Sequence, residues 1–64
     1  MAAFVTLGNG SEVGIVARDD AEDILVIRSK EKLNSTRNTA ELGPATKANI
    51  DATIECLRLL KHTL

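Results

Sequence analysis

Residues Thr46 to Leu64 read TKANIDATIECLRLLKHTL, and this stretch decides the fold. Placed on a helix, Ile50, Thr53, Ile54, Leu57, Leu60 and Leu64 fall on one stripe at spacings of three and four. That is the period of a helix with one apolar face. Cys56 and Leu59 widen the stripe, and Ala48 and Ala52 border it. Pro44 suits a first helical position, and Thr46 is an alternative N-cap. Asp51 stands near the positive N-terminal end, and Arg58, Lys61 and His62 near the negative C-terminal end, in agreement with the helix dipole. Lys47 and Asp51 are an i,i+4 pair worth about 0.2–0.5 kcal/mol. Such a stripe needs a surface to cover.

The preceding residues supply a sheet. Ala3 to Leu7 is short and partly β-branched, a first strand. Gly8-Asn-Gly-Ser11 follows, and its Asn-Gly pair tolerates the positive φ that tight hairpin turns require. Glu12 to Arg18 is the second strand, with Val13, Ile15 and Ala17 on one face and Gly14 and Val16 on the other. Gly14 marks a bulge or a close approach by another part of the chain. The acidic run Asp19-Asp-Ala-Glu-Asp23 is a solvated turn. Ile24-Leu-Val-Ile27 is the third strand, and it is apolar on both faces. Strands of that kind are usually covered on both. Arg28 to Leu33 extends that strand or forms one helical turn. Asn34 to Thr39 is rich in side chains that bond their own backbone and reads as a loop. Asn38 followed by Glu41 resembles a helix-capping pair that starts a brief turn ending at Gly43. The expected fold is α+β: an antiparallel three-stranded β-meander packed against one C-terminal α-helix, a single small domain over residues 1–64.

The chain has 64 residues, one Phe, one Cys and no Trp or Tyr. Chains this short bury only about 60% of their unfolded surface. A lone cysteine closes no intrachain disulfide, and no Cys/His cluster suggests a structural metal. Self-association is the remaining support, so a homodimer is expected. The uncovered face of strand three, through Leu25 and Ile27, and the Cys56/Leu59 flank of the helix are the two candidate contacts. With the helix on the sheet, Ile54 and Leu57 should face Val13, Ile15, Ile24 or Val26. The N-terminus has no basic start and a short apolar run, unlike a secretion signal. No apolar run reaches membrane-spanning length. The expectation is a cytoplasmic protein without membrane contact.

Chemistry is sparse. Cys56 and His62 are the only residues of their types. They lie about 120° apart around a helix, so they do not pair within one chain as nucleophile and base. The acidic turn could attract a hard cation, but it lacks the spacing and glycine of a calcium-binding loop. Gly8-Asn9-Gly10 precedes a strand, whereas a phosphate loop precedes a helix. No catalytic residue, cofactor or metal is expected, and the chain is read as not an enzyme. Charge is polarised: residues 1–27 hold one base and five acids, and residues 28–64 seven bases and four acids. Arg28, Lys30, Lys32 and Arg37 form the basic segment, offset locally by Glu31 alone. On a strand, Arg28, Lys30 and Lys32 share a face and could track phosphates. Stacking aromatics are missing nearby, and charges of this kind also guard exposed sheet edges. The function expected is a small regulatory module that binds a protein partner, as a homodimer. The alternative is nucleic-acid binding through residues 28–37.

Overall fold

The structure is a computed structural model and describes residues 3–33 and 36–64. Four strands form one antiparallel meander, in the order β1 (Ala3–Thr6), β2 (Glu12–Val16), β3 (Ile24–Leu33), β4 (Thr36–Pro44). One helix, α1 (Lys47–Lys61), follows. The α+β class, the meander and the C-terminal helix are as expected; the strand count is four, not three. The fourth strand occupies the stretch read as a loop with a helix-capping pair at Asn38 and Glu41. Asn34 and Ser35 of that loop lie outside the described residues.

The first hairpin closes where Asn-Gly predicts it. Leu7 N–H donates to the Ser11 carbonyl at 2.7 Å, and Gly10 N–H to the Leu7 carbonyl at 2.9 Å. Asn9 Oδ1 accepts from Ser11 N–H at 2.9 Å, and Gly10 adopts φ +90°, which glycine reaches without a Cβ clash. Thr6 therefore opposes Glu12, and Ala3 opposes Ile15. On the other side of β2, Val13 opposes Ile27 and Ile15 opposes Leu25. This register places Ala3, Val5, Val13, Ile15, Leu25 and Ile27 on one face, called the front here. Phe4, Glu12, Gly14, Val16, Ile24, Val26 and Arg28 fall on the back.

Gly14 sits in an unbulged part of the ladder. A Cβ there would collide with the Phe4 ring and stand 2.5 Å from the Ala3 carbonyl oxygen. Of the two readings of this glycine, close approach is the one realised, and a side chain makes it. The Phe4 ring lies over Gly14, and the Arg28 guanidinium stacks on that ring, 3.9 Å from its centroid. This is the covering of the back face, so Val26 is only 3% exposed although no helix lies there. Ile24, Leu25 and Val26 are the buried hydrophobic core of the described residues. The two-sided burial expected of strand three is present, but side chains of the same sheet supply one side of it.

The helix begins as its sequence indicates. Thr46 is the N-cap, with extended φ −113° and ψ 156°, and its hydroxyl accepts from Asn49 N–H at 3.1 Å. Pro44 ends β4 and does not start the helix. Asn49 then ties the helix to the sheet: its Nδ2 donates to the Leu42 and Pro44 carbonyls at 3.0 and 2.9 Å. Gly43, at φ +103°, makes the bend and lies against that amide. Ala45 N–H donates to the Asp23 carbonyl at 2.9 Å, fixing the linker to the start of β3. Among the described residues no helix is long and apolar enough to cross a membrane.

Candidate interaction surface

The front of the sheet and the helix do not close on each other. Between them lies an apolar groove of about 310 Å³. Its floor is Ala3, Val5, Val13, Gly14, Ile15 and Leu25, and its helical wall is Ile50, Thr53, Ile54 and Leu57. The expected facing of Ile54 and Leu57 onto Val13 and Ile15 is thus found. Ile24 and Val26 are not opposite them, because the hairpin register turns those two to the back and Leu25 to the front. No residue of the helix is buried. Ile54 is 50% exposed and Leu57 60%. Leu57 is therefore not the buried leucine that the helical stripe suggests; it borders an open groove.

The rest of the stripe has still less cover. Leu59 and Leu60 are 60% and 62% exposed, and Cys56 and Leu64 are also exposed. At about 100° per residue, Leu59, Cys56, Leu60, Leu57, Ile50 and Ile54 span an arc of roughly 220°. A helix covering one layer needs an apolar stripe of about 100°. Lys47, Asp51, Glu55 and Arg58 occupy the remaining arc, where Arg58 Nη1 meets Glu55 Oε2 at 3.3 Å, and Lys61 falls between Ile50 and Ile54 in the last turn. The helix wall of the groove takes about half of the apolar arc, and the Cys56/Leu59/Leu60 flank continues past it.

The two candidate dimer contacts consequently lie on one side of the molecule. Leu25 is buried on the groove floor. Ile27 is half-buried and borders a neighbouring depression of about 350 Å³, lined also by Ser11, Ser29, Asn38, Thr39 and Ala40. Cys56 and Leu59 are on the helix flank. The sheet-side and helix-side contacts that the sequence presents as alternatives are parts of one front surface.

The basic segment lies differently. Arg28 Nε and Nη2 donate to Glu12 Oε1 at 3.2 and 3.1 Å, and Arg37 Nη1 donates to the same oxygen. Glu12 directly opposes Arg28 in the β2–β3 ladder, which makes the contact. Both arginines are about one third exposed. Lys30 is exposed, its stem against Gly10 of the first turn. The backbone of Lys32 pairs with Arg37, and its side chain lies outside the described positions. Arg28, Lys30 and Lys32 are not on an outer strand, since β3 is interior to the sheet, whereas Arg37 is on the edge strand β4. The β2 pairing ends at Arg28, however, so from Ser29 onward β3 pairs with β4 alone.

Glu12 and Phe4 are the residues that sequence reasoning missed here. Their partners follow from register alone, and the only advance signal was the glycine at position 14. Among the described residues, no three His, Cys, Asp or Glu side chains are placed to share a metal ion. Compared with known protein families, with curated proteins and with solved structures, the chain matches none.

Proposed function

We propose that this chain is a non-enzymatic interaction module that acts by binding protein through its front face. The observation that carries the proposal is the open apolar groove with a helical wall half-exposed to solvent. Burial of apolar surface is what this face can contribute. Its lining offers hydrocarbon and the single hydroxyl of Thr53, with no titratable group to move a proton. Chemistry of that kind supports recognition, not turnover.

Nucleic-acid binding through Arg28, Lys30, Lys32 and Arg37 is the weaker reading. Glu12 holds two of these four side chains on one carboxylate oxygen, which lowers the charge free to displace counterions from phosphates. A pull-down from cell extract, with and without nuclease, separates the two. Protein retained in both conditions, and lost with the groove variant Leu57→Glu, supports the proposal. Retention that nuclease abolishes and Leu57→Glu spares would support the nucleic-acid reading instead.

A further inference from the structure

We infer that the front face is occupied by a second copy of this chain, paired about a two-fold axis so that each helix flank covers the other copy's groove. The inference rests on the protein-binding reading above and names the partner. Three observations lead to it.

The first is area. A folded monomeric chain of 6.9 kDa exposes about 4,000 Å² by the usual scaling of surface with mass. This chain exposes 5128 Å², on the order of 1,000 Å² more than that scaling gives. A stable interface takes about 800 Å² from each partner, and obligate homodimers take more. The excess is the amount one such interface removes, and most of the largest exposed apolar side chains are on the helix, Ile54, Leu57, Leu59 and Leu60, with Leu64 just beyond its end and Val5 on the front of the sheet.

The second is shape. A two-fold interface uses the same patch on both copies, so the patch must fit itself. The front face carries both halves of such a fit: a groove of about 310 Å³ and, beside it, the projecting Cys56/Leu59/Leu60 flank. A flat apolar patch or a lone groove would need a differently shaped partner.

The third is charge. The groove lining holds no ionisable side chain, and of the charged helix residues only Lys61 falls within the apolar arc, in the last turn, where it is exposed. Two copies can approach front to front without stranding a charge, which matters because a buried unpaired charge costs several kcal/mol. A partner chosen by charge would find nothing to read on this face.

Sedimentation equilibrium of the untagged chain from about 1 to 100 μM is the test, with Leu60→Glu as the variant. Leu60 lies outside the groove lining and is largely exposed in the single chain, so the substitution leaves the groove contacts untouched. The expected wild-type mass is twice 6.9 kDa, and the expected variant mass is half the wild-type value. Should Leu60→Glu fail to fold, hydrogen exchange on the unaltered chain decides. Amides of residues 52–60 should gain protection at least tenfold as concentration rises over the same range. A wild-type mass of 6.9 kDa throughout, with exchange independent of concentration, would overturn the inference. So would a dimer that Leu60→Glu leaves intact. A monomer that still retains protein from extract through Leu57 removes the second copy and keeps the protein-binding reading. A monomer that retains nothing removes both.

Discussion

Truncating Leu57 to alanine separates a helix that merely rests on the sheet from one that is half of an interface. Leu57 is 60% exposed in the single chain. Full burial of a leucine side chain is worth about 1.5–3 kcal/mol, so the 40% that this chain buries accounts for roughly 1 kcal/mol. The site already opens to solvent, so no closed cavity adds to that cost. In a front-to-front pair the same side chain is fully buried, and the loss becomes about 2–5 kcal/mol per chain. At the lower bound the pair thus loses about 1 kcal/mol per chain more than the single chain does. That is about 2 kcal/mol per dimer, close to a 30-fold weaker self-association. Urea or thermal melts of wild type and Leu57→Ala, each at several concentrations between about 1 and 100 μM, measure this. Wild-type stability should rise with concentration, as mass action requires, and the variant should need more than tenfold higher concentration to reach the same midpoint. For a domain of this size 1 kcal/mol moves the midpoint by about 4–8 °C. A loss near 1 kcal/mol that is the same at every concentration would refute the two-copy reasoning. No loss at all would refute the placement of the helix.

Three further substitutions probe the devices that set the front face. Gly14→Ala drives a methyl group into the Phe4 ring and toward the Ala3 carbonyl; it should cost about 1–3 kcal/mol in a urea melt, the usual range for overpacking, and Phe4→Ala should restore part of that in the double variant. Asn49→Ala removes both amide bonds that tie the helix to the end of β4; each is worth about 0.5–1.5 kcal/mol, and hydrogen exchange should show the helix amides losing protection before those of β2 and β3. Glu12→Gln releases Arg28 and Arg37 from a shared carboxylate. The expected stability change is about 1 kcal/mol or less, because the arginines are partly solvated. If nucleic acid binds these arginines, the variant should bind more tightly in a low-salt gel-shift assay, with a steeper salt slope by about one contact. Absence of any retardation in either protein excludes that reading.

Much of the architecture was legible in the chain. The helix and its start at Thr46 were legible, because an amphipathic period and an N-cap are local signals, while its end at Lys61 falls short of the stripe's last residue, Leu64. The first turn was equally local, since Asn9 and Gly10 declare their own backbone geometry. Strand β4 was hidden for a physical reason. Residues 36–44 lie on the outer edge of the sheet, and residues 37–44 are largely exposed. An edge strand in water needs no apolar alternation and tolerates Arg37, Glu41 and a terminal Pro44. Its residues therefore carry the composition of a loop, and only pairing with β3 makes them a strand. The Glu12–Arg28–Arg37 contact was hidden for a related reason. It depends on which residue stands opposite which, and that register was set by the first turn and by the shifts between β3 and β4.

Strand β3 and helix α1 both present more apolar surface than a single neighbour absorbs, yet the two excesses have different fates. For β3 the surplus on the back is answered within the sheet, where Gly14 makes room for Phe4 and Arg28 stacks above it. No second layer is required there, and the polar Glu12–Arg37 contact finishes that face. For α1 the surplus has no such answer. Its polar arc is already given to Glu55, Arg58 and their neighbours, and its apolar arc runs past the groove to Cys56, Leu59 and Leu60. No residue of the helix is buried by the sheet. A second chain would cover that flank without any change of sequence. The exposed apolar side chains of the helix are on the front, and any surface lost on association should come from the helix and groove, leaving the Phe4–Arg28–Glu12 face in water.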